Sequence, residues 1–183
     1  MVDAQGYQDI VYVDTSWLLV AHVDETLSFV KANTPRGWVM LANDATMAHD
    51  MLVAAQNAGH GSKQMFIGKY WSGGVPAAVS INQVLNDADV MNESAWAAVK
   101  IDEQINIVKV ATGLTDAEIV PVAFLHQETS GYSGAYQPGT VNGIYLADDV
   151  FASPDPHGPV SAGEDIFKAQ LEDELSDYGI NVY

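Results

Sequence analysis

Residues 17–30 read WLLVAHVDETLSFV, and the rest of the chain is organised around this stretch. An apolar run from Trp17 to Ala21 delivers His22, Asp24 and Glu25 together, and a second apolar set follows at Leu27, Phe29 and Val30. A charge is costly to bury without a partner, so a histidine and two carboxylates between two core-forming segments need a use. An apolar run of this length reads as a strand. Side chains alternate along a strand, which predicts His22 and Asp24 on one face, with Val23 and Glu25 on the other. A His and an Asp side by side at the end of a buried strand can move a proton and bind a cation. They can equally do no more than satisfy each other, and an H-x-D triplet alone does not separate the two.

The chain has 183 residues, 48% of them hydrophobic, which is enough for one domain with a sizeable core and argues against disorder. Its net charge is −17, with seven Lys and Arg. That balance disfavours nucleic acid, whose phosphates require clustered basic residues, and suits a cationic ligand. The sequence contains no cysteine, which excludes disulfides, Cys metal sites and a Cys nucleophile within it. No secretory signal is visible, and no uninterrupted apolar stretch is long enough to span a bilayer. Ile180 to Tyr183 read as the start of a strand, and the sequence ends there with no polar tail. Termini are usually polar and frayed, so the sequence reads as a piece of a longer protein.

Working outward, residues 10–13 are strand-like, and Pro35 and Gly37 mark residues 31–37 as a connector. Residues 38–42 form an apolar run typical of a strand covered on both faces. Asn43 or Asp44 can then cap a helix over 46–58, where Ala48, Met51, Leu52 and Ala55 recur at helical spacing before Gly59. Residues 65–67 are a short strand candidate, and 77–92 are ambiguous. A second helix is predicted from about 93 to 112, with Ala97, Ile101, Gln104, Ile105 and Val108 on one broad face, a Gly113 stop and Leu114 packing back. Residues 119–125 read as a strand with Pro121 near its start or on an edge. Residues 126–140, rich in Gly, Ser and Tyr, read as a long loop. A strand broken by Gly143 is expected over 141–146, a rigid connector over 153–159, and a helix over 164–178. Strand–strand–helix–strand occurs once and recurs less clearly, which is an α/β pattern.

The other candidates carry little. His49, His60, His126 and His157 are scattered, and a solvent-facing or structural role is the expectation for His49, His60 and His157. Ser16 and Thr26 flank the acidic stretch, but no nucleophile elbow surrounds them. No phosphate-binding glycine loop is present, and no metal site is assigned.

The stretch at 17–30, followed by PRGW, VMLAND and NAGHG, resembles the catalytic domain of the protein-arginine deiminases. The similarity continues through TGLTDAEIV, VNGIYLADDVF and HGPVSAGEDIF to INVY. It implies a pentein fold, a ring of five α/β blades with helices outside. This chain would supply about two ββαβ-type blades, and residues 1–183 would form a single partial catalytic domain truncated at both ends relative to the family. It implies hydrolysis of peptidyl arginine to peptidyl citrulline and ammonia through a Cys thiouronium intermediate. His22 would be the acid and base, Asp24 a catalytic and guanidinium-binding residue, and Glu25 a supporting residue. The family nucleophile would follow the INVY strand, and the second substrate aspartate and the calcium-binding loops would precede the sequence. Calcium is therefore implied only for a full-length protein. The partners implied are arginine-containing proteins or peptides, with no membrane, and the location implied is cytoplasmic. A partial ring would also leave sheet edges through which non-native oligomers form. Two other readings stand beside this one: a hydrolase of a small guanidine such as agmatine or free arginine, and a non-catalytic acidic module that binds a cationic partner.

Overall fold

The computed structural model describes residues 6, 9–147 and 149–183. In chain order the elements are β1 (Leu27–Lys31), β2 (Trp38–Asp44), α1 (Ala45–Ala55), β3 (Gln64–Met65), β4 (Val79–Ser80), α2 (Ile81–Asn86) and α3 (Ala88–Thr112). They continue with β5 (Ile119–Ala123), β6 (His126–Thr129), β7 (Tyr132–Ala135), β8 (Ile144–Ala147), β9 (Val150–Ala152), β10 (Val160–Ser161), β11 (Glu164–Asp165), α4 (Ile166–Ser176) and β12 (Asn181–Val182).

Two three-stranded sheets share one pattern. In the first, β1 pairs antiparallel with β2, and β2 pairs parallel with β5 after a crossover through the helices. In the second, β8 pairs antiparallel with β9, and β9 pairs parallel with β12 after a crossover through α4. Each is a ββαβ unit, because a parallel pair requires a long crossover and a helix supplies it. Three short two-stranded ribbons, β3 with β4, β6 with β7 and β10 with β11, complete a mixed α/β architecture in which none of the described sheets closes into a barrel.

β2 has the expected double cover. Val39 and Leu41 face one core with Val120, Val122, Leu171 and Leu175. Met40 and Ala42 face another with Ala97, Ile101 and Val108 of α3. Pro121 lies in β5, at the edge of the sheet, where its missing N–H leaves no gap in the ladder.

The helices start where side chains can replace missing backbone partners. Asp44 accepts the Met47 N–H at 2.8 Å, Asp87 accepts from Asp89 and Val90, and Asp165 accepts from Phe167 and Lys168. α3 begins five residues before its expected start, because Asp87 caps it once α2 has ended there. Gly113 ends it in a left-handed conformation, and Leu114 is buried against the α3 face. Arg36, the one arginine in the sequence, ties the connector to that end through Thr112 O at 3.0 Å and Gly113 O at 2.9 Å. It also pairs with Glu118 at 2.8 Å, and its guanidinium, with help from Thr115, holds the Glu118 carboxyl down at about 2.

Three expectations are corrected. Residues 10–13 form no strand. Residues 17–21 form none either. Leu18 makes a single isolated bridge to Ser133, Leu19 and Val20 are exposed, and Ala21 turns to φ +63°, which ends the extended path. Residues 126–140 are not a long loop. Ser130 and Gly131 both take positive φ and close the tight hairpin of β6 and β7, a turn that follows the natural strand twist. No helix of the described residues is long and apolar enough to cross a membrane.

Candidate functional site

The stretch HVDE is a single 3-10 turn, Val23–Glu25, with His22 before it in extended conformation. The alternation that would align His22 with Asp24 needs a strand and therefore does not apply. The turn is closed on itself, because the Glu25 carboxylate accepts the His22 N–H at 2.8 Å. His22 and Asp24 are exposed, and among the described residues no hydrogen bond or ion pair engages the Asp24 carboxylate. The turn therefore presents an imidazole and a free carboxylate to solvent.

What lies beneath the turn is buried and polar. Thr26 donates its hydroxyl to Gln104 Oε1 at 2.7 Å, and Gln104 Nε2 donates to Asp14 O at 2.8 Å. Asn43, at the end of β2, donates its side-chain N–H to Glu25 O at 2.7 Å and its backbone N–H to Thr26 O at 3.0 Å. Thr26, Gln104 and Asn43 are all buried. These bonds fix the C-terminal end of the turn to both β2 and α3, while Asn43 Oδ1 is buried with no partner among the described residues. At the other end, Thr15 donates to Ala21 O at 2.9 Å, beside the left-handed Ala21. Ser16 donates its hydroxyl and N–H to the Asp14 carboxyl, which is held below its ordinary range.

A cavity of about 420 Å³ adjoins this turn. Val20 and Glu25 line it, together with Leu18, Phe124, His126 and Asn142, whereas His22 and Asp24 do not. His126 is buried between the rings of Phe124 and Trp17, with centroids at 4.9 and 6.0 Å. Its Nδ1 lies 3.1 Å from Ser133 Oγ, and its backbone is pinned to Ser94 Oγ of α3 at 2.9 Å. Burial pushes its pKa down to about 4, so at neutral pH the ring is uncharged. Its Nε2 is buried and has no partner among the described residues.

The other histidines are structural or superficial. His49 lies 3.0 Å from Asp50 on the surface of α1. His60 closes a π-helical turn, Gln56–His60, and its carbonyl accepts the Lys63 N–H. His157 adopts φ +51° in the proline-rich connector, 3.2 Å from Asp155. No group of three or more His, Cys, Asp or Glu among the described residues is placed to hold a metal ion.

In the sequence Gln104 falls on the apolar face of a predicted helix and Asn43 at a helix-cap position, and neither is tied to the HVDE turn by its neighbours. The available signal was an uncharged amide among apolar neighbours, which must find a buried partner.

The family model for protein-arginine deiminases matches residues 1–183. Protein-arginine deiminase type-3 of Mus musculus is 30% identical over 178 residues, which are 97% of this chain and 26% of that protein. The type-3 protein of Homo sapiens gives the same 30%, 97% and 26%. Type-4 of Mus musculus is 26% identical over 98% of this chain and 27% of its own length. The chain therefore spans about a quarter of these curated relatives, 26% to 27%.

Proposed function

The chain belongs to the protein-arginine deiminase family, and we propose that it supplies His22 and Asp24 to a site that hydrolyses peptidyl arginine to peptidyl citrulline and ammonia. In this reading, residues 1–183 are a single partial catalytic domain, and the two ββαβ units are neighbouring blades of a five-bladed pentein ring. Asp24 holds the guanidinium, whose planar N–H fork suits a carboxylate. A cysteine thiolate adds to the guanidinium carbon. His22 protonates the nitrogen that leaves as ammonia, then takes a proton from the water that displaces the thiol. Glu25 keeps the turn closed through the His22 N–H. The sequence has no cysteine, so the thiolate comes from residues outside it, and this chain alone forms no citrulline.

The observation that carries the reading is the HVDE turn itself, with His22 and Asp24 exposed above a buried hydrogen-bonded base. The test is a titration of the 183-residue chain with benzoyl-arginine amide, followed by the NMR signals of the His22 ring. A lone exposed carboxylate pairs weakly, so saturation is expected no tighter than about 1 mM, and Asp24→Asn should abolish it. A response that persists in Asp24→Asn contradicts the role of Asp24. Citrulline formation by this chain above a His22→Ala control contradicts the thiolate mechanism.

A further inference from the structure

Leu18 lines the cavity beside the HVDE turn, and its neighbour Trp17 lines a second, open cleft of about 370 Å³ together with Trp96 of α3 and Tyr132 at the hairpin turn. The two tryptophan rings meet edge to face, with centroids 5.5 Å apart and planes at 85°. Trp96 is 43% exposed and Tyr132 49%, so both rings offer surface to a ligand in the cleft. Two carboxylates share the cleft, Glu93 one helical turn before Trp96, and Glu128 in β6. No basic residue lines it. Outside the cleft, the Lys100 ammonium already sits 6.0 Å from the Trp96 ring centroid.

We propose that this cleft binds an arginine side chain of a partner peptide, stacked on Trp96 and paired with Glu93 and Glu128. The chemistry selects the occupant. Aromatic faces attract cations, and a guanidinium both stacks on a ring and forks onto a carboxylate. The molecule as a whole carries a charge of −17, which draws a basic segment towards it. The proposal rests on these five side chains and not on the deimination reading.

The experiment uses the full 183-residue chain carrying Asp24→Asn, so that a guanidinium at the HVDE turn does not contribute. The probe is a blocked Gly-Arg-Gly peptide, with the citrulline peptide of the same shape as neutral control, and the readout is the indole N–H signals of Trp17 and Trp96. The arginine peptide should shift both signals saturably and the citrulline peptide should not. Affinity should fall about tenfold when Glu93→Gln and Glu128→Gln are combined. Gln at 128 keeps an oxygen for the Gly131 N–H that Glu128 now accepts, so the hairpin stays closed. Trp96→Leu should abolish the response, read at the Trp17 signal. Equal shifts with the citrulline peptide, unmoved indole signals, or full affinity in the double variant would each overturn the proposal. Tighter binding of tetramethylammonium than of the arginine peptide would also overturn it, because the cleft would then be a site for a small cation.

Discussion

His126 shows how one buried side chain builds a pH dependence into the molecule. Its folded pKa lies at about 4 and its ordinary value at 6.5, with burial as the cause. Between those values the unfolded chain binds a proton that the folded chain does not. Stability therefore falls as pH drops from 6.5 towards 4, and the loss is complete below about 4. At about 1.4 kcal/mol per pH unit, the loss is about 3 kcal/mol. Urea unfolding at pH 7 and pH 4 should show a smaller drop, by about that amount, in His126→Leu than in the native chain. An identical drop in both would mean that other groups carry the acid sensitivity. The sequence hid this residue. His126 lies at the head of a stretch rich in Gly, Ser and Tyr, and nothing local shows that Trp17, Phe124 and α3 will close around it. His22 was visible because its neighbours are contiguous in the chain.

Elements were legible where their signals are local. Asp44 and Gly113 mark helix ends, and the apolar run from Trp38 to Ala42 marks a strand with two covered faces, whereas Asp165, expected inside the helix over 164–178, stands before α4 as its cap. The run from Trp17 to Ala21 is equally apolar but forms no strand. Only Leu18 finds a strand to bridge, and burial stops after it. Pairing partners decide a strand, and they are distant in sequence. The support beneath HVDE is distant in the same way. Gln104 sits 78 residues from Thr26 and receives its hydroxyl at 2.7 Å. Gln104→Leu removes both bonds and leaves Thr26 only its longer bond to Val23 O at 3.2 Å and Asp14 O only the Trp17 Nε1 donor at 3.0 Å, so a loss of about 1–3 kcal/mol is expected. Adding Thr26→Val should recover part of it, because an apolar pair leaves less unsatisfied. Chemical denaturation of the single and double variants checks this. A Gln104→Leu chain as stable as the native one would remove the pedestal from the account.

At the scale of the whole molecule, the ββαβ unit appears twice, but on other elements than the order read from the sequence: the first unit starts at β1 rather than in residues 10–21 and closes on β5 rather than on residues 65–67. The hydrogen-bonded order of the sheets came only with the structure, because the first crossover holds three helices and two extra strands. β1 is an edge strand that leaves Phe29 50% exposed, and Val110 on α3 is 88% exposed. Exposed edges and apolar surface favour pairing between copies, while the net charge of −17 opposes it. Sedimentation should therefore show association that increases with protein concentration and with salt, which screens that charge. Phe29→Lys should reduce it, whereas a monomer under all conditions would contradict it. The central claim, that His22 and Asp24 serve deimination, is tested most directly by a chimera. These residues would replace the matched segment of the Mus musculus type-3 protein, which supplies the rest of its length. The measurement is citrulline formation from an arginine peptide, with circular dichroism as the control for folding. The chimera should turn over, and His22→Ala and Asp24→Asn should each lower the rate by at least about 100-fold with the fold intact. A folded Asp24→Asn chimera with near-native turnover would contradict the claim.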